Sequence, residues 1–202
     1  MATLTKLGHA CFKFENEGKS VVFDPFAPGY VPGCVLPDNL TCNLCLCSHG
    51  HNDHAYTQAV TEIGSSEGIT VFSVPCYHDD KQGTLRGNNT INIVTIGGVS
   101  VCHMGDVGHE LDDESYKKIG KVDVLLIPVG GYYTVDGATA KKIADSIDAR
   151  IIIPMHYRVG NSGYDVISTV DDFVKLYDNV TIVNDAVLDI GGDYSGVVVM
   201  DI

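Results

Sequence analysis

The chain has 202 residues, of which 45% are hydrophobic and 19% are charged. This composition is typical of a globular protein with a sizeable core, and we expect residues 1–202 to form a single domain. The 26 acidic residues outnumber the 13 basic ones and give a formal net charge of −13, which argues against nucleic acid or an anionic membrane as partners.

The sequence also bears on where the protein works. Its N-terminus lacks a basic segment followed by an apolar run, and no window approaches about 18 apolar residues, so we expect neither a signal peptide nor a transmembrane helix. Seven cysteines are an odd number in a chain that is not small, which argues against a disulfide framework. We therefore expect a cytoplasmic protein.

Strands dominate the first third of the sequence. Residues 10–15 alternate apolar with polar, residues 16–19 predict a turn, and residues 20–23 predict the return strand, which ends at Asp24-Pro25 because proline cannot continue the ladder. A loop rich in proline and glycine spans residues 27–37. The mostly apolar run 40–47 predicts a buried strand, and residues 55–63 predict a short helix.

Helices and buried strands alternate in the rest of the chain. Helices are predicted over residues 112–119, capped by Asp112 or Asp113, and over residues 138–147 and 166–177. Buried strands are predicted over residues 69–74, 90–95, 99–103, 122–128, 150–154 and 180–183, with a last strand over 196–202. Because the first strands are joined as a hairpin, we expect sheets with helices on their outer faces and not a purely parallel doubly wound sheet.

One segment stands out for its chemistry: His49, His51, Asp53 and His54 lie within six residues, directly after an apolar run. At the end of a strand the backbone turns, so that these side chains can converge on one point. Neutral imidazole suits zinc or iron, and a carboxylate compensates the charge of a second cation. A polar turn needs no histidine, so the pattern favours a metal site.

Three more ionisable residues have the same local context. His78, Asp106 and His156 each follow an apolar run that predicts a buried strand. Enzymes place site residues at such strand ends because rigid strands hold them while loops leave them accessible. A lone residue of this kind would mean little, but the repetition indicates a shared site.

These pieces resemble the metallo-β-lactamase superfamily. The run HGHNDH is similar to its H-x-H-x-D-H signature, and the order of the other pieces resembles a small branch of metal-dependent hydrolases related to ascorbate-6-phosphate lactonase. The pieces that carry this second resemblance are Gly8-His9-Ala10-Cys11-Phe12, Val22-Phe23-Asp24-Pro25, His78 with Arg86-Gly87 and Asn89, His103-Met104-Gly105-Asp106, and Ile153-Pro154-Met155-His156-Tyr157.

The resemblance implies an α/β protein of mixed α+β type, a four-layer αββα sandwich with two divalent metal ions at one edge. Zinc is the first choice, with manganese, iron or nickel as alternatives. His49, His51 and His78 would hold the first ion, Asp53, His54 and His156 the second, and Asp106 would bridge them. His103 competes with His78 for the first ion; we favour His78, because His103 has the opposite strand parity to Asp106.

Other residues are assigned supporting roles. Asp24 is the best candidate for a carboxylate that orients a ligating histidine, and His9 is placed near the site by the resemblance. Arg86 and Arg158 are the arginines near the motifs, and either could bind an anionic group or pair with a surface carboxylate. Asn89 and Tyr132 complete the candidates, Tyr132 on a loop that could line a substrate pocket.

The cysteines offer a competing site. Cys42, Cys45 and Cys47 have a spacing that superficially suggests thiolate ligands, but Cys45 and Cys47 alternate with leucines in the predicted strand 40–47. In a buried strand a cysteine acts as a small hydrophobe, and we favour that interpretation.

The resemblance implies a hydrolase that acts on an ester, lactone or phosphodiester bond of a small substrate by means of a metal-bridging hydroxide, with Asp53 and Asp106 as catalytic residues. Three alternatives stay open. The first is a nuclease or other nucleic-acid-processing phosphodiesterase of the same superfamily, against which the net charge argues. The second is an oxygen-reducing di-iron protein, which usually carries Glu at the position of His51 and uses a flavin domain. The third is a non-enzymatic module organised by the cysteines.

Overall fold

The computed structural model describes residues 1–201, which form strands and three short α-helices. The helices are α1 (Asp113–Ile119), α2 (Gly137–Ser146) and α3 (Asp171–Val174). The strands are β1 (Thr3–Gly8), β2 (Cys11–Asn16), β3 (Lys19–Phe23), β4 (Leu40–Cys42), β5 (Leu44–Leu46), β6 (Val60–Glu62), β7 (Ile69–Tyr77), β8 (Asn88–Ile96), β9 (Val99–His103), β10 (Val122–Pro128), β11 (Ala149–Met155), β12 (Val180–Val183), β13 (Val187–Asp189) and β14 (Gly196–Met200).

The strands form two main sheets and a small one. The five-stranded sheet has the order β13-β1-β2-β3-β5, and the seven-stranded sheet has the order β12-β14-β11-β10-β9-β8-β7. Strands β4 and β6 pair separately. Because β2 is antiparallel to β1 and β3, and β8 is antiparallel to β7 and β9, the strands β1, β3 and β5 run in one direction, as do β7, β9 and β11.

The main core lies between the two large sheets. Strand β10 shows the layering, since Val124 and Leu126 face the other sheet while Leu125 and Ile127 face the helices. All four side chains are fully buried. Burial on both faces accounts for the continuous apolar runs that the sequence shows in the central strands. Helices α1, α2 and α3 cover the outer face of the seven-stranded sheet.

The outer face of the five-stranded sheet is covered differently. Cys11 and Val22 on this face pack against Phe26, Val31 and Leu40, which belong to the loop 24–39 and to β4. The molecule therefore has the expected four-layer α/β sandwich. The layer outside the five-stranded sheet is formed by the loop 24–39 and the small sheet, whereas the αββα pattern predicts helices there. No helix among residues 1–201 is long and apolar enough to cross a membrane.

Two helix caps follow the sequence closely. The side chain of Asp112 accepts a hydrogen bond from the Ser115 N–H at the start of α1, and that of Asp136 accepts one from the Thr139 N–H at the start of α2. Such caps satisfy backbone donors that the first turn of a helix leaves free. The predicted helices 112–119 and 138–147 are thus confirmed.

The predicted buried strand 40–47 is wrong as a single element. It divides at Asn43 into β4 and β5, which belong to different sheets. The Asn43 side chain accepts a hydrogen bond from the Ser20 N–H and donates to the Ile63 carbonyl, and this holds the chain out of a continuous ladder. Cys45 and Cys47 are only partly buried.

Two predicted helices also need correction. Residues 55–63 form a 3-10 turn, Thr57–Ala59, followed by β6, where the β-branched Val60 and Thr61 favour an extended chain paired with β4. Of the predicted helix 166–177 only α3 is helical, because the Ser168 N–H bonds to the Gly130 carbonyl and the Ser168 carbonyl accepts from the Arg158 N–H. Tertiary hydrogen bonds thus hold the first part of this segment extended.

Three strands differ from expectation at the sheet edges. Residues 180–183 are predicted to be buried, yet β12 is an edge strand in which Ile182 is 62% exposed. Residues 69–74 were predicted to be buried, yet β7 is an edge strand with β8 as its sole neighbour, and Phe72 is 48% exposed. The last strand was predicted over residues 196–202, and the structure has β14 over Gly196–Met200. Residue 202 lies outside the described residues.

Candidate metal centre

The predicted ligands lie together at one edge of the sandwich, each just past the carboxyl end of a strand. His9, Asp24 and the segment 49–54 follow β1, β3 and β5 of the five-stranded sheet, and His78, Asp106 and His156 follow β7, β9 and β11 of the seven-stranded sheet. Because these strands run in the same direction within each sheet, their ends meet at one edge. Residues far apart in the sequence are therefore brought together.

The side chains form three groups of potential metal ligands. Two of them share no residue and are called the first and second sets, and the third, Asp24, His49 and His54, overlaps both. Within each set, one ligand atom from every residue lies within 4.8 Å of the others. The first set is His49, His51 and His78, and the second is His9, Asp53, His54 and His156. The first set contains the three residues predicted for the first ion, and the second contains the three predicted for the second ion together with His9.

Asp106 lies between the two sets. Its Oδ2 atom is 3.2 Å from Nε2 of His78 in the first set, and 3.2 Å from Nε2 of both His54 and His156 in the second. Nε2 of His49 is 4.0 Å away. A single carboxylate oxygen of Asp106 therefore contacts histidines of both sets.

The donor chemistry of the centre fits cations. Asp106 Oδ1 and several imidazole nitrogens, including Nε2 of His49 and both ring nitrogens of His9 and His156, are buried without a hydrogen-bond partner. Buried polar atoms in proteins are normally paired, and an unpaired one costs about 1–3 kcal/mol. Convergent nitrogen and carboxylate donors of this kind are what zinc and related divalent ions bind.

Asp24 organises two of the histidines. Its Oδ2 atom is 2.8 Å from Nδ1 of His54, and its two oxygens accept hydrogen bonds from the backbone N–H and hydroxyl of Ser48 at 2.7 and 2.6 Å. The Ser48 hydroxyl in turn lies 2.9 Å from Nδ1 of His49. Because the Ser48 hydroxyl donates its hydrogen bond to Asp24, its oxygen can only accept one from His49, which requires a proton on Nδ1 of His49. His54 likewise donates from Nδ1 to Asp24, so Nε2 of each histidine is free to bind a metal.

The electrostatics of the centre follow from burial among charges. Burial and the neighbouring His54 lower the pKa of His49 to about 3, which keeps its imidazole neutral and able to ligate. Burial alone would raise the pKa of Asp106, but His156 and His54 hold it well below the ordinary value. The centre thus presents an ionised carboxylate surrounded by imidazoles.

His103 does not belong to either set. Its Nε2 lies 2.8 Å from the Ala10 carbonyl, its Nδ1 accepts a hydrogen bond from the Gly105 N–H, and its ring stacks on Phe23 with centroids 5.1 Å apart. Both ring nitrogens are therefore occupied by backbone groups. The geometry favours His78 over His103 as the third residue of the first set.

Asn89 and Gly105 fix the backbone that carries Asp106. The Asn89 side chain is fully buried, accepts a hydrogen bond from the Asp106 N–H at 2.9 Å and donates one to the Met104 carbonyl at 2.8 Å. Gly105 has φ +55°, and a Cβ atom there would lie 2.3 Å from both Asn89 Oδ1 and Ser48 Cβ. Only glycine fits this conformation and this space.

Three non-glycine residues of the centre share a left-handed backbone conformation. The φ angles are +54° at His9, +47° at Asp24 and +53° at His156. Such conformations cost free energy and persist where the surrounding structure determines them, which occurs preferentially at functional sites. The His156 N–H donates to the His9 carbonyl at 3.2 Å, and this hydrogen bond connects the two left-handed residues directly.

A cavity of about 310 Å³ opens onto the centre. Of the two predicted arginines, Arg86 lines it, whereas the Arg158 guanidinium bonds to the Gly160 carbonyl and does not. Tyr132 is 65% exposed and contributes its carbonyl group to Arg86, while the side chain of Tyr133 lines the cavity. The cavity residues are Tyr30, His51, Asp53, His78, Arg86, Asp106, Tyr133 and Tyr164.

Tyr164 lies beside the centre, although no sequence pattern selects it as a candidate. Its hydroxyl donates to Asp53 Oδ2 at 3.1 Å, and its ring makes edge contacts with His9 and Tyr133. Burial and Asp53 raise the pKa of Tyr164, which keeps the hydroxyl protonated as a donor. It lies in a loop after β11 whose sequence has no metal-binding or catalytic spacing.

The comparisons with known proteins agree with this geometry. The sequence profile of the beta-lactamase superfamily domain matches residues 3–156. The UPF0173 metal-dependent hydrolase of Carboxydothermus hydrogenoformans is 32% identical over 189 residues, covering 76% of this chain and 84% of the relative.

Solved structures give the same result. A Thermotoga maritima protein assigned to the Zn-dependent hydrolases of the metallo-β-lactamase superfamily is 35% identical, with a TM-score of 0.79 over 99% of this chain and 98% of the other. A metallo hydrolase from Ignicoccus hospitalis shares the fold at 23% identity, with a TM-score of 0.61 over 78% of this chain and 83% of that one.

The chain therefore belongs to the metallo-β-lactamase superfamily. Within it, the chain is a metal-dependent hydrolase. The superfamily, the α/β sandwich fold and the hydrolase class that the sequence motifs predicted are thus confirmed.

Proposed function

We propose that the protein is a dinuclear hydrolase that cleaves an ester, lactone or phosphodiester bond of a small substrate with a hydroxide held between two cations. One observation carries this proposal: Oδ2 of Asp106 lies 3.2 Å from histidine nitrogens of both ligand sets. A site for one ion would need only one of these sets. Two sets that share a carboxylate fit a pair of cations.

The ligand assignment follows from the two sets. His49, His51 and His78 would hold one cation, and Asp53, His54 and His156 the other, with His9 close enough to join the second set. The nitrogen-rich donors favour zinc, while manganese, iron and nickel are alternatives. When bound, such a pair of cations supplies a water activated near neutral pH and a Lewis acid for the scissile group.

The chain's own residues orient the reaction. Asp53 and Asp106 are the carboxylates that line the cavity, and the Tyr164 hydroxyl donates to one Asp53 oxygen at 3.1 Å. The cavity of about 310 Å³ has room for a small molecule only. Its size and the net charge of −13 support a small substrate and argue against a nucleic acid.

We also propose that the protein works in the cytoplasm. All seven cysteines are free, and Cys45 and Cys47 are partly exposed. Exposed thiols of this kind are maintained in a reducing compartment. Fractionation of the native host, followed by thiol labelling of the protein in each fraction, tests this; a form that is found oxidised outside the cytoplasm would contradict it.

The proposal is tested with the metal-free protein loaded with zinc, manganese, iron or nickel. We expect two equivalents of bound metal and hydrolysis of at least one of an ester, a lactone and a phosphodiester test substrate. Asp106→Asn should lose metal and hydrolysis together, whereas the exposed control Asp80→Asn should keep both. A single bound equivalent in the active protein, or full metal content in Asp106→Asn, would overturn the dinuclear assignment.

A further inference from the structure

Arg86 lies on a loop whose shape is fixed by one carboxylate. This loop, residues 79–87, follows His78 and joins β7 to β8. The Asp79 side chain is 2% exposed and accepts hydrogen bonds from four backbone N–H groups. The donors are Lys81 at 2.8 Å, Gly83 at 2.9 Å, Leu85 at 3.1 Å and Arg86 at 2.7 Å.

The ends of this loop are tied as well. The Gly87 N–H donates to the Gly83 carbonyl, and the His78 N–H donates to the Gly87 carbonyl, both at 3.0 Å. Together with the four hydrogen bonds to the Asp79 carboxylate, these bonds connect both ends and the middle of the loop. The loop is therefore a preorganised support for Arg86 and not a flexible flap.

The guanidinium of Arg86 is also held by the loop that follows β10. Its Nη2 atom donates to the Tyr132 carbonyl at 3.0 Å, and its Cζ atom lies 5.7 Å from the centre of the Tyr133 ring. Tyr132 has φ +59°, so a strained backbone presents this carbonyl. Two separate loops thus fix the position of one cationic group at the cavity wall.

This cation has no anionic partner within the described chain. Among residues 1–201 the guanidinium makes no ion pair, and one of its five N–H donors is used by a hydrogen bond. In a chain with 26 acidic residues, an arginine with a purely structural role would be expected to pair with a carboxylate, which Arg86 does not do within residues 1–201. A guanidinium is always charged and binds carboxylate and phosphate oxygens in pairs.

We propose that Arg86 is the recognition site for an anionic group, a carboxylate or a phosphate, that the substrate carries beside its scissile bond. Asp79 acts as a positioning residue that fixes the loop beneath it. This inference rests on the proposed hydrolase function, since it places the anionic group of the substrate in the cavity that Asp53 and Asp106 also line. It narrows the substrate class to small acids.

The first test compares two aryl esters with the metal-loaded protein. 4-Nitrophenyl butyrate has a neutral acyl chain, and mono-4-nitrophenyl succinate carries a carboxylate on an acyl chain of the same length. Arg86→Gln should raise KM for the succinate ester about 10- to 100-fold more than it raises KM for the butyrate ester. Lys81→Gln is the matched control, because it removes a charge from the same loop where the side chain pairs with Asp80.

The second test does not require turnover. The chain has three arginines, Arg86, Arg150 and Arg158, and phenylglyoxal labelling of each can be followed by mass spectrometry. Succinate and inorganic phosphate should protect Arg86 from labelling, while neutral succinamide should not, and labelling of Arg150 and Arg158 should stay the same. Asp79→Asn should weaken this protection although the guanidinium is present.

The outcomes separate this inference from the proposed function. An equal rise in KM for both esters in Arg86→Gln would overturn the anion site. Equal protection of Arg86 from labelling by succinate and succinamide would also overturn it. If the metal-loaded wild-type protein hydrolyses neither ester, the ester chemistry of the proposed function is contradicted. The labelling result then decides the role of Arg86 by itself.

Discussion

The Asp24 carboxylate lies 2.8 Å from Nδ1 of His54, the ring nitrogen opposite the one that approaches Asp106 at 3.2 Å. A carboxylate in this position fixes both the tautomer and the orientation of an imidazole. Asp24 is fully buried, and three of its contacts come from Ser48 and His54. The orientation of His54 therefore depends on a buried carboxylate from a different loop.

Asp24→Asn should weaken metal binding without removing a ligand. An amide can present its NH₂ group to His54 and Ser48, which disturbs the network, and we expect about a 10- to 100-fold loss of affinity for the cation at His54. Competition with a chromogenic chelator measures this affinity. The exposed Asp80→Asn serves as control. Wild-type affinity for both cations in Asp24→Asn would show that Asp24 has no orienting role.

His78 and His103 should respond differently to replacement. His78→Ala is expected to lose one metal equivalent, because His78 belongs to the first ligand set. His103→Ala should keep both equivalents but lower the free energy of unfolding by about 3 kcal/mol, since it removes a buried ring and leaves the Ala10 carbonyl and Gly105 N–H unpaired. Metal analysis and urea unfolding of the two variants give both quantities. The reverse pattern would exchange their roles.

Gly105→Ala should disrupt the centre. The new Cβ atom would lie 2.3 Å from Asn89 Oδ1 and Ser48 Cβ, so the backbone that carries Asp106 must move. We expect the free energy of unfolding to fall by about 3 kcal/mol or more and the bound metal to be lost. Gly160→Ala is a matched control, since Gly160 has the same φ of +55° with nothing within 4 Å of the added atom. Gly160→Ala should lower the free energy of unfolding by about 1 kcal/mol and leave the metal content unchanged. Similar effects of the two substitutions would mean that φ alone, and not close packing, requires glycine at position 105.

A buried lysine makes stability depend on alkaline pH. Lys6 is 3% exposed, and burial lowers its pKa to about 8, although Asp201 and Cys34 oppose the shift. Between about pH 8 and the ordinary value of 10.5 the unfolded chain binds more protons than the folded one, so this residue's contribution to stability rises with pH. Below about pH 8 Lys6 is charged in both states and its contribution is constant.

Lys6→Met should remove this dependence. From pH 8 to pH 10.5 the wild-type protein should gain up to about 3 kcal/mol relative to the variant, as measured by urea unfolding across the range. The comparison isolates Lys6, because the other groups that titrate in this range are present in both proteins. Parallel stability curves for the two proteins would contradict a lowered pKa of Lys6.

Local sequence patterns were sufficient for much of the fold. The helices capped by Asp112 and Asp136 and the apolar runs of the central strands follow from the chain itself. The failures occur where tertiary contacts decide. Asn43 divides the run 40–47 through bonds to Ser20 and Ile63, and no local pattern contains those partners.

The candidate site shows the same division. Histidines and carboxylates at strand ends can be recognised one by one, because their residue type reports a preference for metals. Tyr164 has no such signature, and its position beside Asp53 depends on the path of the whole loop after β11. Arg86 and Arg158 could not be separated by sequence, since what distinguishes them is which guanidinium faces the cavity.

The centre takes its donors from both sheets, with residues 49–54 on one side and His156 at the end of β11 on the other. During synthesis the early part of the chain emerges first, and at that stage it carries His9, Asp24 and the donors of residues 49–54, but not His78, Asp106 or His156. The full constellation exists only after β11 has docked beside β10. Completion of the second ligand set is thus a late event in folding, and a chain truncated before residue 156 would lack one of its members.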